Sequence, residues 1–312
     1  MKKTTWSQLI LTTVSIATSS TYAATTSLTD HFSVNASIGY LAGKSQEFVY
    51  DEGGAEKLSQ LNWKINGAAV IKGETNYTLL PWLGFNAQGW ITLANGDAVM
   101  DDYDWVNPFQ RHWSDWSHSK DTDLRQANEF DLNLRARFFR LSSVQLAAMV
   151  GYQRTLFSFL AKGGCYVYND GADVGCFPEG EKGIGYKQTF STPYIGILGN
   201  YRLNAYELNA LFKYSSWVTA KDVDQHYMRD LTFHERGDNF EFYNVTVNAG
   251  YYVRPQIKLF AEGAFSYIPN KVADMNIRNN ATQDEIYIPA SAGLNNKNMV
   301  LSLGIQYKGM AG

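Results

Sequence analysis

The amino-acid sequence predicts an all-β fold, a ten-stranded antiparallel transmembrane β-barrel with long extracellular loops and short periplasmic turns. Three observations predict it: ten runs of alternating apolar and polar residues, the length of these runs, and the alternation of long and short links between them. After the N-terminal segment there is no stretch of about 18 uncharged apolar residues, which excludes a helical membrane protein. An aromatic content of 14% suits the strands and interfacial rings of such a barrel.

The N-terminal segment predicts export. It carries two lysines, then the short apolar stretch Leu9–Ala17, then small residues up to Ala23. This order is typical of a secretory signal peptide, and the apolar stretch is too short for a membrane-spanning helix, which needs about 20 residues. We therefore expect residues 1–23 to be a signal peptide and residues 24–312 to form one outer-membrane barrel domain.

The run around residue 132 shows the alternation most clearly. Its polar side chains include the charges Asp131 and Arg135, and its apolar ones are Phe130, Leu132, Leu134, Ala136 and Phe138. A soluble barrel turns its apolar face inward, whereas apolar-out and polar-in is the arrangement of a membrane barrel. An even number of strands also closes the sheet without free edges. The ten runs are 32–40, 61–71, 83–93, 130–138, 143–160, 184–199, 204–219, 239–253, 255–268 and 297–308.

The lengths of the runs and links support the same topology. Strands in globular proteins average about 5–6 residues, while membrane-crossing strands need about 9–11, and these runs match or exceed the membrane length. Short links alternating with long ones are the periplasmic turns and outer loops of such a barrel, and they place both termini in the periplasm. The short links are 73–80, 141–142, 200–203 and 254–255, and the long ones are 43–60, 94–128, 161–183, 220–238 and 269–296.

Two cysteines, Cys165 and Cys176, lie in a glycine-rich segment of the third long link. In an exported protein this spacing predicts one local disulfide with a structural role. A metal site is the alternative, but no histidine or additional cysteine lies nearby.

Two clusters of charge in the long links are candidates for chemistry. The second long link contains Asp102 and Asp104, and the fourth contains Asp224 and His226. Residues two apart on an extended segment project to the same face. If the two links face each other over the barrel mouth, two carboxylates therefore oppose an Asp–His pair.

This arrangement allows three interpretations. In the first, a carboxylate beside an imidazole fixes the tautomer of the imidazole and raises its basicity. Two close carboxylates share a proton or hold a water molecule, so the four residues together could activate water to attack an amide. The same residue types also suit a zinc site, and solvated loop charge without catalysis is the third reading. The other histidines, His31, His112, His118 and His234, have no patterned partner, and no serine-hydrolase elbow or phosphate loop is present.

Several segments resemble the omptins, the outer-membrane proteases of enterobacteria. The most specific is Asp224–Phe233, with the sequence DQHYMRDLTF. The others span nearly the whole chain after the predicted signal peptide, in the family's order: 59–64, 100–105, 127–133, 184–188, 193–196 and 248–253.

The resemblance implies a catalytic groove at the extracellular mouth of the barrel and an aspartyl endopeptidase without a metal cofactor. All six functional positions carry the family's residue. They are a water-activating pair, an opposing carboxylate pair, and an acidic pocket for the Arg or Lys before the scissile bond: Asp224 and His226, Asp102 and Asp104, and Glu47 and Asp222. The implied substrates are peptides and surface-accessible proteins, cleaved at basic and dibasic sites.

The resemblance also implies lipopolysaccharide as an activator, and here the sequence departs from the family. Tyr152 is retained, but Arg154 stands where Glu is usual, Leu156 and Thr189 replace two arginines, and Asp238 replaces a lysine. Because a phosphate site depends on charge-assisted bonds from its arginines, we expect lipid A not to bind in the family's way.

Three functions remain in competition at this point. The leading one is the endopeptidase. The second is an adhesin or invasin that binds host matrix on the same scaffold with weak or no proteolysis, and the third is a metal-dependent hydrolase. The formal charge of −3 gives no reason to expect nucleic acid as a partner.

Overall fold

A computed structural model describes residues 32–107 and 110–309. The predicted signal peptide and His31 lie outside these residues. Within them, no helix is both long and apolar enough to cross a bilayer. The thirteen strands are β1 Phe32–Tyr50, β2 Lys57–Leu80, β3 Leu83–Thr92, β4 Gly96–Asp104, β5 Asp115–Arg140, β6 Val144–Lys162, β7 Cys165–Tyr168, β8 Asp173–Cys176, β9 Lys182–Leu203, β10 Tyr206–His226, β11 Leu231–Arg254, β12 Ile257–Asn279 and β13 Glu285–Gly309.

The strands close into a ring with ten positions, which confirms the predicted barrel. β3 and β4 share one position, because both pair with β2 and β5 at different heights. The ring runs β1, β2, β3/β4, β5, β6, β9, β10, β11, β12, β13, and β13 pairs back to β1 with Phe32 opposite Gly309. The hairpin β7–β8 adds to the upper end of β5 outside the ring.

The structure differs from the sequence interpretation in where the strands end at the outer side. Most residues of the long links belong to strands that continue antiparallel pairing beyond the alternating runs, so the remaining connections are shorter than predicted. They are 51–56, 105–114, 163–181, 227–230 and 280–284. The turns at the other end are tight, at 81–82, 141–143, 204–205 and 255–256.

The two faces of the wall have the predicted polarity. On β5 the side chain of Phe130 is 52% exposed on the outer surface, while Asp131 beside it is fully buried in the lumen. There Asp131 pairs with Lys213, also buried, because a charge removed from water needs a partner. The outer belt of exposed apolar residues on β10 ends near Trp217, so the last nine residues of that strand extend beyond it.

An aromatic layer, formed by Trp63, Phe159 and Tyr186, closes the upper lumen. The Trp63 ring stacks on both others at 5.3 Å between centroids and is fully buried. Gln188 on β9 donates hydrogen bonds across the interior to backbone oxygens of Gln46 and Asn295, so opposite walls meet at this height. A polar cavity of about 1630 Å³ lies below the layer.

The predicted disulfide is present. Cys165 and Cys176 are bonded, with the two sulfurs 2.08 Å apart, and face each other in the hairpin β7–β8. The bridge therefore closes the base of a hairpin that stands above the barrel wall.

Candidate active site

Three strand ends carry the candidate residues to the mouth of the barrel. Glu47 lies on β1, Asp102 and Asp104 lie on β4, and β10 ends with the alternating residues Asp222, Asp224 and His226. The two-residue spacing turns each set inward, since alternate residues of a strand share a face. Asp102 lies close enough to His226 and Asp224 for their charges to change its pKa. The structure thus brings all six predicted residues together, on strands and not on loops.

The Asp–His pair forms a hydrogen bond. His226 Nε2 lies 2.7 Å from Asp224 Oδ2, and only 1% of the Asp224 side chain is exposed. Burial lowers the pKa of His226, but the charge and hydrogen bond of Asp224, together with the charge of Asp102, raise it overall. With Nε2–H donating to the carboxylate, Nδ1 keeps its lone pair, which is the state of a general base. Phe233 packs edge-on against the imidazole at 5.2 Å between centroids and fixes its plane.

The opposing carboxylate pair is poised to hold a proton. Burial raises the pKa of Asp102 well above its ordinary value, and the neighbouring Asp104 raises it further. Burial also raises the pKa of Asp104. Ser59 on β2 donates a hydrogen bond to Asp102 Oδ1 at 3.3 Å. Because two adjacent, half-buried carboxylates resist ionising together, the pair can retain one proton near neutral pH.

The third group is an acidic pocket. Glu47 and Asp222 are almost fully buried, and burial raises the pKa of Asp222 to about 7. Tyr186 donates its hydroxyl proton to Asp222 Oδ2 at 2.8 Å, and Gln188 donates to the same hydroxyl oxygen at 3.0 Å. This chain of hydrogen bonds fixes Asp222 from below, on the aromatic layer.

Sequence reasoning missed one member of this pocket, Glu235 on β11. It is the cross-strand partner of Asp222 and is buried beside it. The signal was available in the chain, because counting outward from the tight turn at 227–230 pairs the two residues. It was hidden because 220–238 was read as a loop. Sequence reasoning also gave no roles to Ser59 and Tyr186, although both lie within segments used for the resemblance.

The remaining histidines lie elsewhere. His118 Nδ1 lies 2.7 Å from Asp101 Oδ1, and this pair stands on the other face of β4 from Asp102. His112 is largely exposed near Asp170, at 3.7 Å. Across residues 32–107 and 110–309 no group of three His, Cys, Asp or Glu residues is arranged to hold a metal ion.

The positions of the family's lipid site lie on the outer wall. Tyr152 and Arg154 are exposed on β6, and Leu156 is the cross-strand partner of Thr189 on β9. The Asp238 carboxylate accepts a hydrogen bond from Thr219 at 2.6 Å. Of these side chains only Arg154 carries a positive charge, and it stands where the family usually has Glu.

Comparison with known proteins gives consistent matches over nearly the whole chain. The family model described as Omptin family matches residues 28–308. The plasminogen activator of Yersinia pestis is 44% identical over 314 residues, covering 99% of this chain and 100% of the relative. Protease 7 of Escherichia coli strain K12 is 42% identical over 313 residues, covering 96% and 97%. The crystal structure of outer membrane protease OmpT from Escherichia coli aligns with a TM-score of 0.86 at 40% identity, covering 90% of this chain and 97% of that one.

Proposed function

Because the chain belongs to the omptin family of outer-membrane proteases, we propose that it is an endopeptidase that cleaves beside basic residues with a water activated by Asp224 and His226. The observation that carries the proposal is the 2.7 Å bond of the Asp–His pair, facing two half-buried carboxylates across the mouth. Its substrates are peptides and proteins that reach the cell exterior.

In the proposed reaction His226 Nδ1 takes a proton from water while the water oxygen attacks the carbonyl carbon. The Asp224 carboxylate stabilises the imidazolium that forms, and the protonated member of Asp102 and Asp104 donates a hydrogen bond to the developing oxyanion. His226 then returns the proton to the amide nitrogen as the C–N bond breaks. No covalent enzyme intermediate is needed, because water itself is the nucleophile.

The preference for a basic residue rests on the acidic pocket. A guanidinium or ammonium group that enters it meets the buried carboxyls of Glu47 and Asp222. Charge-assisted hydrogen bonds are stronger than neutral ones, so a cationic side chain binds there in preference to a neutral one.

The test uses Asp224→Ala and His226→Ala with a fluorogenic dibasic peptide. Each variant should lose about 10²–10⁴-fold in kcat, the usual contribution of a general base, while the heat-modifiable mobility of the folded barrel persists. The matched control is His118→Ala, because His118 forms a second His–Asp pair at the mouth with the same 2.7 Å separation. Unchanged cleavage in both variants would refute the assignment.

The same experiment separates the competing functions. An adhesin would leave the dibasic peptide intact in the wild-type protein and bind host matrix equally well in both variants. A metal-dependent hydrolase would lose its activity in chelator and regain it with zinc.

The dependence on lipopolysaccharide is also a proposal. Leu156 and Thr189 offer no cation at the family's positions, but Lys221 is the exposed cross-strand neighbour of Thr189, and Lys187 lies two residues along β9. We expect these lysines to carry stimulation by lipopolysaccharide. The double variant Lys187→Ala/Lys221→Ala should lose stimulation but keep basal cleavage, whereas Lys64→Ala, an exposed outer-wall lysine on β2, should keep both. Stimulation retained in the double variant would contradict this.

A further inference from the structure

The pocket contains a third carboxyl group, Glu235, to which neither the sequence patterns nor the resemblance assigned a role. Its side chain is on the inner face of β11, and the residue is 2% exposed. Apart from the neighbouring carboxyls of Asp222 and Glu47, neither Oε1 nor Oε2 has a hydrogen-bond donor within reach. Burying a carboxyl group without a hydrogen-bond donor costs free energy, so its presence here points to a ligand that supplies the donors.

The surroundings of Glu235 are acidic or apolar. Asp222 is its direct cross-strand partner on β10, and Met275 is its partner on β12. Glu47 and Asp224 add their charges from β1 and β10. Among the described residues no Lys or Arg forms an ion pair with Glu47, Asp222 or Glu235. The pocket therefore has a negative electrostatic potential when its carboxyls are ionised, and no cation of the described residues pairs with it.

The carboxyls are close enough to share protons when the pocket is empty. Burial raises the pKa of Glu235 well above its ordinary value, and Asp222 raises it further. Burial raises the pKa of Glu47 in the same way. A cation that enters can thus replace shared protons, because it stabilises the ionised carboxylates.

The number of free acceptors indicates which cation fits. When the carboxyls are ionised, four buried oxygens in the pocket lack a donor: Glu47 Oε2, Asp222 Oδ1, Glu235 Oε1 and Glu235 Oε2. A guanidinium carries five N–H donors in a planar fork, whereas an ammonium carries three on a single nitrogen. Only the guanidinium has enough donors to satisfy all four oxygens at once.

We propose that Glu235 is a specificity-determining residue that makes this pocket select Arg over Lys before the scissile bond. This inference rests on the proposed endopeptidase function and deepens it. Glu47 and Asp222 supply charge for either cation, and Glu235 supplies the additional acceptors that only a guanidinium fills. A purely structural role, in which protonated Glu235 only bonds to Asp222, would leave the choice between Arg and Lys unaffected.

The experiment compares two peptides that differ only in Arg or Lys before the scissile bond. Glu235→Gln keeps the shape and removes the charge, and Glu235→Ser replaces the carboxyl group with a short hydroxyl side chain. Both variants should lower the Arg-to-Lys ratio of kcat/KM by about 10-fold or more, the contribution expected of a hydrogen bond to a charged group. The loss should appear mainly in KM for the Arg peptide, and Glu235→Asp should restore part of it.

The matched control is Glu241→Gln, which removes an exposed glutamate from the same strand. It should leave the ratio unchanged. If Glu235→Gln and Glu235→Ser are active and their Arg-to-Lys ratio of kcat/KM is unchanged, the inference about Glu235 is overturned but the proposed function stands. The same conclusion follows if the variants lose barrel stability without a change in this ratio. A wild-type protein that cleaves neither peptide, or cleaves both as fast as His226→Ala does, overturns the proposed function and this inference together.

Discussion

The hydroxyl of Tyr186 offers a sharp test of how the acidic pocket is held. Tyr186→Phe removes the 2.8 Å hydrogen bond to Asp222 Oδ2 but keeps the ring that stacks on Trp63. Hydrogen bonds to charged groups contribute about 1.5–3 kcal/mol, which corresponds to a factor of about 10–150 in an equilibrium constant. Because this bond stabilises ionised Asp222, its loss should raise the pKa of that carboxyl above about 7.

The assay is kcat/KM for an Arg peptide as a function of pH. The variant should lose about 10-fold or more at neutral pH, mainly through KM, and the acidic limb of the profile should move to higher pH. Tyr243→Phe is the control, since it removes a 2.9 Å bond to the exposed Glu241 on the outer wall. A profile identical to that of the wild-type protein would refute the idea that Tyr186 keeps Asp222 ionised.

Three further outcomes are expected. Burial raises the pKa of Asp222 from 3.8 to about 7, so between these values the native state holds a proton that the unfolded state has released. Stability should therefore fall as pH rises through this window, measured as the temperature at which heat-modifiable mobility is lost, and a rise would contradict the reasoning. Replacing Cys165 and Cys176 by serine should expose the segment 163–181 to nicking by an added protease. The variant should still cleave dibasic peptides, because the hairpin lies outside the ring, and loss of its peptidase activity would contradict this prediction. Trp63→Ala should destabilise the barrel by about 3–5 kcal/mol, the cost of a large cavity; an unchanged mobility-transition temperature would show that the aromatic layer is dispensable.

The ring of strands could be predicted because lipid demands a strict pattern. Each outward residue of a run such as 130–138 must be apolar and each inward one polar, so the period of two is visible in the chain. Beyond the belt both faces tolerate polar residues, and a segment such as 220–226 no longer reads as a strand. Its pairing is set by the neighbouring strands, which a single sequence does not display.

Part of the candidate site could also be predicted, because it depends on local spacing in the sequence. The pairs Asp102 and Asp104, and Asp224 and His226, each follow from a local spacing of two residues. Glu235 joins the pocket only through strand pairing across a turn, and Tyr186 does so through a hydrogen bond from the neighbouring strand. Contacts of this kind depend on register, which local patterns do not encode.

The aromatic layer across the upper lumen distinguishes this barrel from a porin, whose lumen is an open water-filled channel. Trp63, Phe159 and Tyr186 contact one another, and Gln188 is bonded to the opposite wall, so side chains fill the upper lumen between the mouth and the cavity below. In a planar lipid bilayer the protein should therefore conduct no ions. Under the proposed function, fragments released at the mouth should return to the medium, and we expect proteolysis without a leak of solutes across the outer membrane.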